Sequence, residues 1–163
     1  MLLYHFNFGF PLINKNPGII IPHRNKEKFE GQEFLKLANP GEWGIDHEGE
    51  SKETFLFKPV ADKNDQAFFL VSNDLENPEL ALLIKYSYSP LKNLIVWKYL
   101  YSGSYVLCIE PANCNIEGIK EEHKKGTLEY LEPFEKREIN IEIKVLESKN
   151  EILKCGEFLR TLY

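Results

Sequence analysis

Apolar and polar positions alternate with a period of two along much of this chain. At the amino terminus Tyr4, Phe6, Phe8 and Phe10 fall on one face of an extended segment, with His5, Asn7 and Gly9 on the other. Toward the far end Ile139, Ile141, Ile143 and Val145 alternate with Glu138, Asn140, Glu142 and Lys144, which predicts a half-buried strand. Between them the pattern predicts strands over 18–22, 53–58, 67–72, 80–88, 93–99, 103–110 and 127–132. Clusters such as Asn16-Pro17-Gly18, Asn39-Pro40-Gly41 and Asn77-Pro78 punctuate the gaps. Short helices are predicted over 26–38 and 150–162, the second weakened by Gly156. Many short strands separated by turns argue for an all-β, antiparallel sandwich or barrel with few short helices, against a βαβ fold.

The chain has 163 residues, which suits a single domain spanning 1–163 with one sizeable core. Eleven Phe, eight Tyr and two Trp favour strands. A net charge of −5 argues against a broad phosphate-binding surface, so nucleic acid is not an expected partner. No apolar run approaches the roughly 20 residues needed to cross a bilayer, and no basic segment precedes the first apolar residues. Cys108, Cys114 and Cys155 are widely spaced and form no Cys-x-x-Cys pair, so neither a zinc site nor a disulfide framework is predicted. Three reduced thiols fit a cytoplasmic protein.

Two stretches carry candidate chemistry. His5 lies on the polar face of the first strand with Asn7 two residues along; a titrating acid or a histidine satisfied by the backbone fits that position. Glu110 ends the apolar strand Tyr105-Val106-Leu107-Cys108-Ile109 and is followed by Pro111, which turns the chain and suits a carboxylate at a cleft mouth or in solvent. Asn113, just beyond, suits a substrate contact or a turn cap. Asp46-His47-Glu48 reads as a solvated loop, because alternation sends His47 away from both acids. His23 and His123 read as surface residues. Neither a Gly-rich phosphate loop nor a Gly-x-Ser-x-Gly elbow is present.

The segment Tyr-His-Phe-Asn-Phe-Gly-Phe-Pro-Leu at 4–12 and the segment Ile-Glu-Pro-Ala-Asn-Cys at 109–114 resemble the aldose 1-epimerase (galactose mutarotase-like) superfamily, in its branch of unassigned sugar specificity. The resemblance implies a sugar cleft in which His5 protonates the ring oxygen, Glu110 takes the proton of the anomeric hydroxyl and Asn7 supports by hydrogen bonding. Pro90-Leu-Lys-Asn-Leu-Ile-Val-Trp97-Lys98 resembles a Trp-Lys segment of the same branch. It suggests Trp97 as an apolar platform for a sugar and Lys98 as a donor, although Trp97 equally suits a core position. The closing pattern departs from the relatives at two points: Phe134 stands where they often carry Gly, and Ile119 where an Arg is common.

The resemblance covers only the carboxyl-terminal half of a typical superfamily member. It implies an incomplete sandwich whose uncovered strand edges and apolar face favour a homodimer or larger homo-oligomer. The expected ligand is a small-molecule sugar, with neither cofactor nor metal. A sugar-binding protein without turnover, or a remnant or assembly subunit of the same fold, are the alternatives.

Overall fold

The two-residue period sorts this chain into two sheets facing one another. The computed structural model describes all residues except 14–16, 25–33, 37–51, 75, 102–103 and 163, and within strands leaves aside the side chains of 34–36, 52–53, 98–101 and 104–105. The strands are β1 (Phe6–Phe8), β2 (Gly18–Ile20), β3 (Phe34–Lys36), β4 (Lys52–Phe57), β5 (Gln66–Ser72), β6 (Ala81–Ser87), β7 (Asn93–Tyr101), β8 (Ser104–Ala112) and β9 (Ile141–Leu146). Two helices, α1 (Ile119–Lys125) and α2 (Lys149–Arg160), complete the described elements. One sheet has the order β1-β8-β7-β4 and the other β3-β2-β5-β6-β9, with every pairing antiparallel. The all-β antiparallel sandwich is therefore the observed fold.

The core lies between the sheets. Phe8, Phe57, Leu94, Val96, Leu107 and Ile109 of the first sheet meet Ile19, Ala67, Phe69, Val71, Ile84 and Tyr86 of the second. Phe69 packs edge-on against Phe8 and tilted against Phe6, with centroids 6.3 and 6.4 Å apart, within the range where aromatic pairs add to simple area burial. The outer face of the five-stranded sheet is also apolar, which explains why β5 is buried on both sides. There Ile20, Phe68, Leu70, Ala81 and Leu146 take Ile152 and Leu159 of α2. Gly156 suits that contact: a Cβ there would lie 3.1 Å from the Cδ1 of Ile20, so its absence lets the helix approach β2.

Several expectations need correction. Residues 34–36 of the predicted 26–38 helix form β3, paired with β2; the remainder of that segment lies outside the described residues. Residues 127–132 form no strand, because the amides of Thr127 and Leu128 turn back to the carbonyl of Glu122 and so close α1. Phe10 does not share the buried face of its neighbours: the chain turns there, at a cis Phe10–Pro11 bond, and Phe10 is 81% exposed. β9 forms as predicted, but Ile143 and Val145 are exposed although their ladder partners Ile84 and Leu82 pack in or against the core. β9 is the last strand in its sheet, and of its row Ile141, Ile143 and Val145 only Ile141 packs against the core.

Candidate functional site

The outer face of the four-stranded sheet carries the candidate chemistry. β1 pairs with β8 so that Asn7 stands opposite Cys108, and the register continues outward through the Tyr4 amide bonded to the Pro111 carbonyl and the Leu3–Ala112 bridge. His5 therefore stands opposite Glu110. Beyond β8, Glu110 pairs with Ile95 and Cys108 with Trp97; beyond β7, Ile95 pairs with Leu56 and Trp97 with Thr54. Two rows of side chains thus cross the sheet, His5–Glu110–Ile95–Leu56 and Asn7–Cys108–Trp97–Thr54. Because alternate residues point to opposite faces, the residues between them, such as Phe6, Phe8, Leu107, Ile109 and Val96, enter the core.

His5 Nε2 lies 2.9 Å from Glu110 Oε1, with the imidazole about half exposed and the carboxylate almost covered. The pair forms the floor of an open hollow of about 480 Å³ lined by His5, Thr54, Ile95, Trp97, Glu110 and Ile116. That size falls within the range of about 300–1,000 Å³ usual for small-molecule sites. Burial pushes the Glu110 carboxyl above its ordinary value, opposed by the neighbouring His5. Burial, with Glu110 adding to it, pushes the Cys108 thiol up to about 11, so it remains protonated at neutral pH. Its S–H donates to Asn7 Oδ1 across 2.8 Å.

The rim is set by the segment after β8. Ile116 lies on the loop leading into α1, and this loop is anchored by Glu122, which is 1% exposed. Oε1 of Glu122 accepts from the Asn115 backbone amide at 3.1 Å and from its Nδ2 at 3.0 Å, and Oε2 accepts from the Thr127 hydroxyl at 2.9 Å. Asn115 in turn accepts from Asn93, whose Oδ1 receives Lys58 Nζ. A polar chain thus runs from α1 to the sheet face beside the hollow.

The other expected residues are dispersed. Trp97 stands on the outer face and lines the hollow. Asn113 binds the chain terminus instead: its Oδ1 accepts from the Leu2 amide at 2.7 Å and its Nδ2 donates to Glu129. Lys98 takes the ladder position opposite Leu107, and its side chain lies outside the described residues, as do Asp46, His47 and Glu48 entirely. His23, expected at the surface, is half-buried with its ring 5.0 Å from Phe57. Cys108, Thr54, Ile95 and Ile116 were not singled out by sequence. For Cys108 the signal was present, since it lies two residues before Glu110 on the same strand face. A ring nitrogen of His5, Sγ of Cys108 and a Glu110 oxygen lie within 4.8 Å of one another, a donor set able to hold a metal ion.

The family described as a domain of unknown function (DUF4432) matches residues 1–145, and the chain belongs to it. No curated protein matches the chain. Among solved structures, it is similar to a Klebsiella pneumoniae protein provisionally named as an aldose 1-epimerase, at a TM-score of 0.78 and 19% identity. The likeness covers 98% of this chain and 42% of that protein, so the chain spans less than half the length of the solved structure it matches.

Proposed function

We propose that this DUF4432 protein binds a small sugar in the hollow above His5 and Glu110 and interconverts its anomers. The observation that carries the reading is the 2.9 Å separation of His5 Nε2 and Glu110 Oε1 on the floor of a sugar-sized hollow. The ring oxygen and the anomeric hydroxyl are borne on one carbon, so an acid and a base this close can address both at once. Glu110 takes the proton of the anomeric hydroxyl while protonated His5 gives one to the ring oxygen; the C1–ring oxygen bond breaks and a carbonyl forms. Rotation about C1–C2 presents the other carbonyl face. Ring closure reverses both transfers: His5 recovers its proton from the attacking hydroxyl and Glu110 returns one to the carbonyl oxygen. The step needs neither a cofactor nor a metal.

Burial of Glu110 supports its role as base, since a carboxylate with a raised pKa is a stronger one. Trp97 and Ile116 offer apolar surface for the C–H face of a sugar, and Thr54 a hydroxyl partner. Asn7, bonded to Cys108, supports the floor. Lys98 and Asn113 as substrate contacts rest on the resemblance alone: Lys98 shares its ladder position with the inward-facing Leu107, and Asn113 is bonded to the Leu2 amide and Glu129.

The test is relaxation of a freshly dissolved α-anomer, followed by polarimetry across a panel of aldoses. Glu110→Gln and His5→Ala should each slow catalysed relaxation by about 10²–10⁴-fold, the usual contribution of a positioned acid or base. Undiminished rates in either variant refute the assignment. The openness of the hollow, floored by one sheet face, favours a second reading as a sugar-binding protein without turnover. Calorimetry separates the two: heat of binding without accelerated anomer exchange selects the second.

We infer further that the chain is one domain, an incomplete sandwich that pairs with a copy of itself. The exposed Ile143 and Val145 on the edge strand β9 support this. A monodisperse monomer in light scattering at low micromolar concentration rules it out. A cytoplasmic location is part of the same reading, supported by the free thiols Cys108, Cys114 and Cys155. Among the described residues no helix is long and apolar enough to cross a membrane.

A further inference from the structure

We propose that His5, Cys108 and Glu110 form a binding site for a thiophilic divalent ion such as Zn²⁺, and that occupancy switches off the acid–base pair. Three unlike donors converge here: an imidazole nitrogen, thiol Sγ and a carboxylate oxygen, all within 4.8 Å of one another. In a tetrahedral zinc site, bonds of about 2.0–2.3 Å put neighbouring ligand atoms about 3.3–3.8 Å apart. The His5–Glu110 contact at 2.9 Å would open by about half an ångström to reach that spacing, and Sγ would move inward by at most about 1.3 Å.

The backbone already supplies the arrangement. His5 and Glu110 face each other across the β1–β8 ladder, and Cys108 is the next residue along the same face of β8. A position held by adjacent paired strands needs only side-chain rotation to close on an ion. The thiol is inaccessible as it stands, yet the side chain it bonds, Asn7, is exposed and His5 beside it is half exposed. Rotation of these two surface side chains uncovers Sγ from the hollow. Three protein ligands leave the fourth tetrahedral position facing that hollow, the arrangement of an open rather than a sealed metal site.

The donor set selects the ion. Thiolate and imidazole suit zinc, cobalt or copper, whereas magnesium and calcium demand oxygen ligands that one carboxylate cannot supply. On binding, the thiol proton and the proton held between His5 and Glu110 pass to solvent. With Nε2 and the carboxylate both committed to the ion, neither can move a sugar's proton. This second half of the proposal rests on the anomer-exchange reading; ion binding does not.

Cobalt(II) gives the direct test on the full chain, because a cobalt–thiolate bond has its own near-ultraviolet charge-transfer band and a tetrahedral ion intense visible bands. One equivalent of cobalt should produce both, and one equivalent of zinc should bleach them. Cys108→Ser should abolish the charge-transfer band. His5→Ala, at a half-exposed position tolerant of change, should keep that band yet weaken zinc binding at least as much as loss of an outer-sphere partner does, about 10–100-fold. Zinc affinity unchanged in both variants, or a cobalt spectrum lacking the thiolate band in the unaltered protein, overturns the site. If zinc binds as described but leaves sugar relaxation untouched, the switch falls while the site stands. If no relaxation occurs even with chelator present, the anomer-exchange reading fails and the spectra still decide the site.

Discussion

Glu122 provides the sharpest test of how the rim of the hollow is held. Its carboxylate is buried and accepts three hydrogen bonds, two from Asn115 and one from Thr127. A hydrogen bond to a charged group contributes about 1.5–3 kcal/mol, but bonds sharing one carboxylate are coupled and do not add in full. Glu122→Ala removes the acceptor and strands the Asn115 amide and side chain, so the expected loss is about 3–4 kcal/mol. For a chain of this length that lowers the melting temperature by roughly 6–16 °C. Glu122→Gln keeps one oxygen for Asn115 and turns its amide nitrogen toward Thr127 Oγ1, which can accept while donating to the Glu122 carbonyl. Its loss should be only about 1 kcal/mol at neutral pH. The pH dependence separates charge from shape. Burial pushes the Glu122 carboxyl up, but the bonds from Thr127 and Asn115, with Lys125 nearby, outweigh it and leave the group below its ordinary 4.5. A depressed carboxyl stabilises the fold above its unfolded value and loses that stabilisation as pH falls through the folded one. Denaturant titrations from pH 7 down to pH 3 should show the gap between Glu122→Gln and the unaltered protein closing below pH 4.5. Parallel curves, or an alanine variant losing under about 1 kcal/mol, would refute this account of the rim.

Three further outcomes follow from single residues. Phe134 is fully exposed with φ at +67°, in the turn after Pro133 closed by the Glu135 amide bonding the Glu132 carbonyl, so Phe134→Gly should stabilise by about 1 kcal/mol in chemical denaturation. Tyr86 is buried and its hydroxyl has no hydrogen-bond partner among the described residues; Tyr86→Phe should therefore stabilise by about 1 kcal/mol, read as a raised urea midpoint. For Glu110 the sign runs opposite to Glu122: its raised carboxyl stabilises the fold when protonated and costs stability as pH rises through the folded pKa. Glu110→Gln should accordingly raise the melting temperature at pH 7 and flatten its fall as pH rises above 4.5, while slowing sugar relaxation.

Most strands were legible because their alternation reflects one buried face each, and β2 through β9 differ from the predicted spans mainly at their ends, with β3 the exception. The helix α1 was missed because its only buried residue is Glu122, leaving no apolar stripe; the flanking Gly118 and Gly126 and the Glu-to-Lys gradient were its available signals. The false strand at 127–132 arose from the alternation of Leu128 and Tyr130 with Glu129, but the amides of Thr127 and Leu128 close a helix instead of joining a ladder. Within the site, His5 and Glu110 were found from their motifs, and Cys108 follows from Glu110 by counting two residues. Thr54 and Ile95 depend on which strands are neighbours, and Ile116 on how a loop folds back. None of these three can be read from local alternation.

The opposition of His5 and Glu110 across a two-residue repeat also limits how the site can change over evolutionary time. Inserting or deleting one residue between His5 and Phe6 would shift His5 together with the Tyr4–Pro111 and Leu3–Ala112 pairings before it. Within Phe6–Phe8, however, the same event would turn aromatic side chains out of the interior and carry polar ones inward. Drift in chain length there is thus purged by misfolding before chemistry is ever tested. Specificity is free to diversify by substitution at Thr54 and Trp97, which line the hollow from the outer face of the sheet.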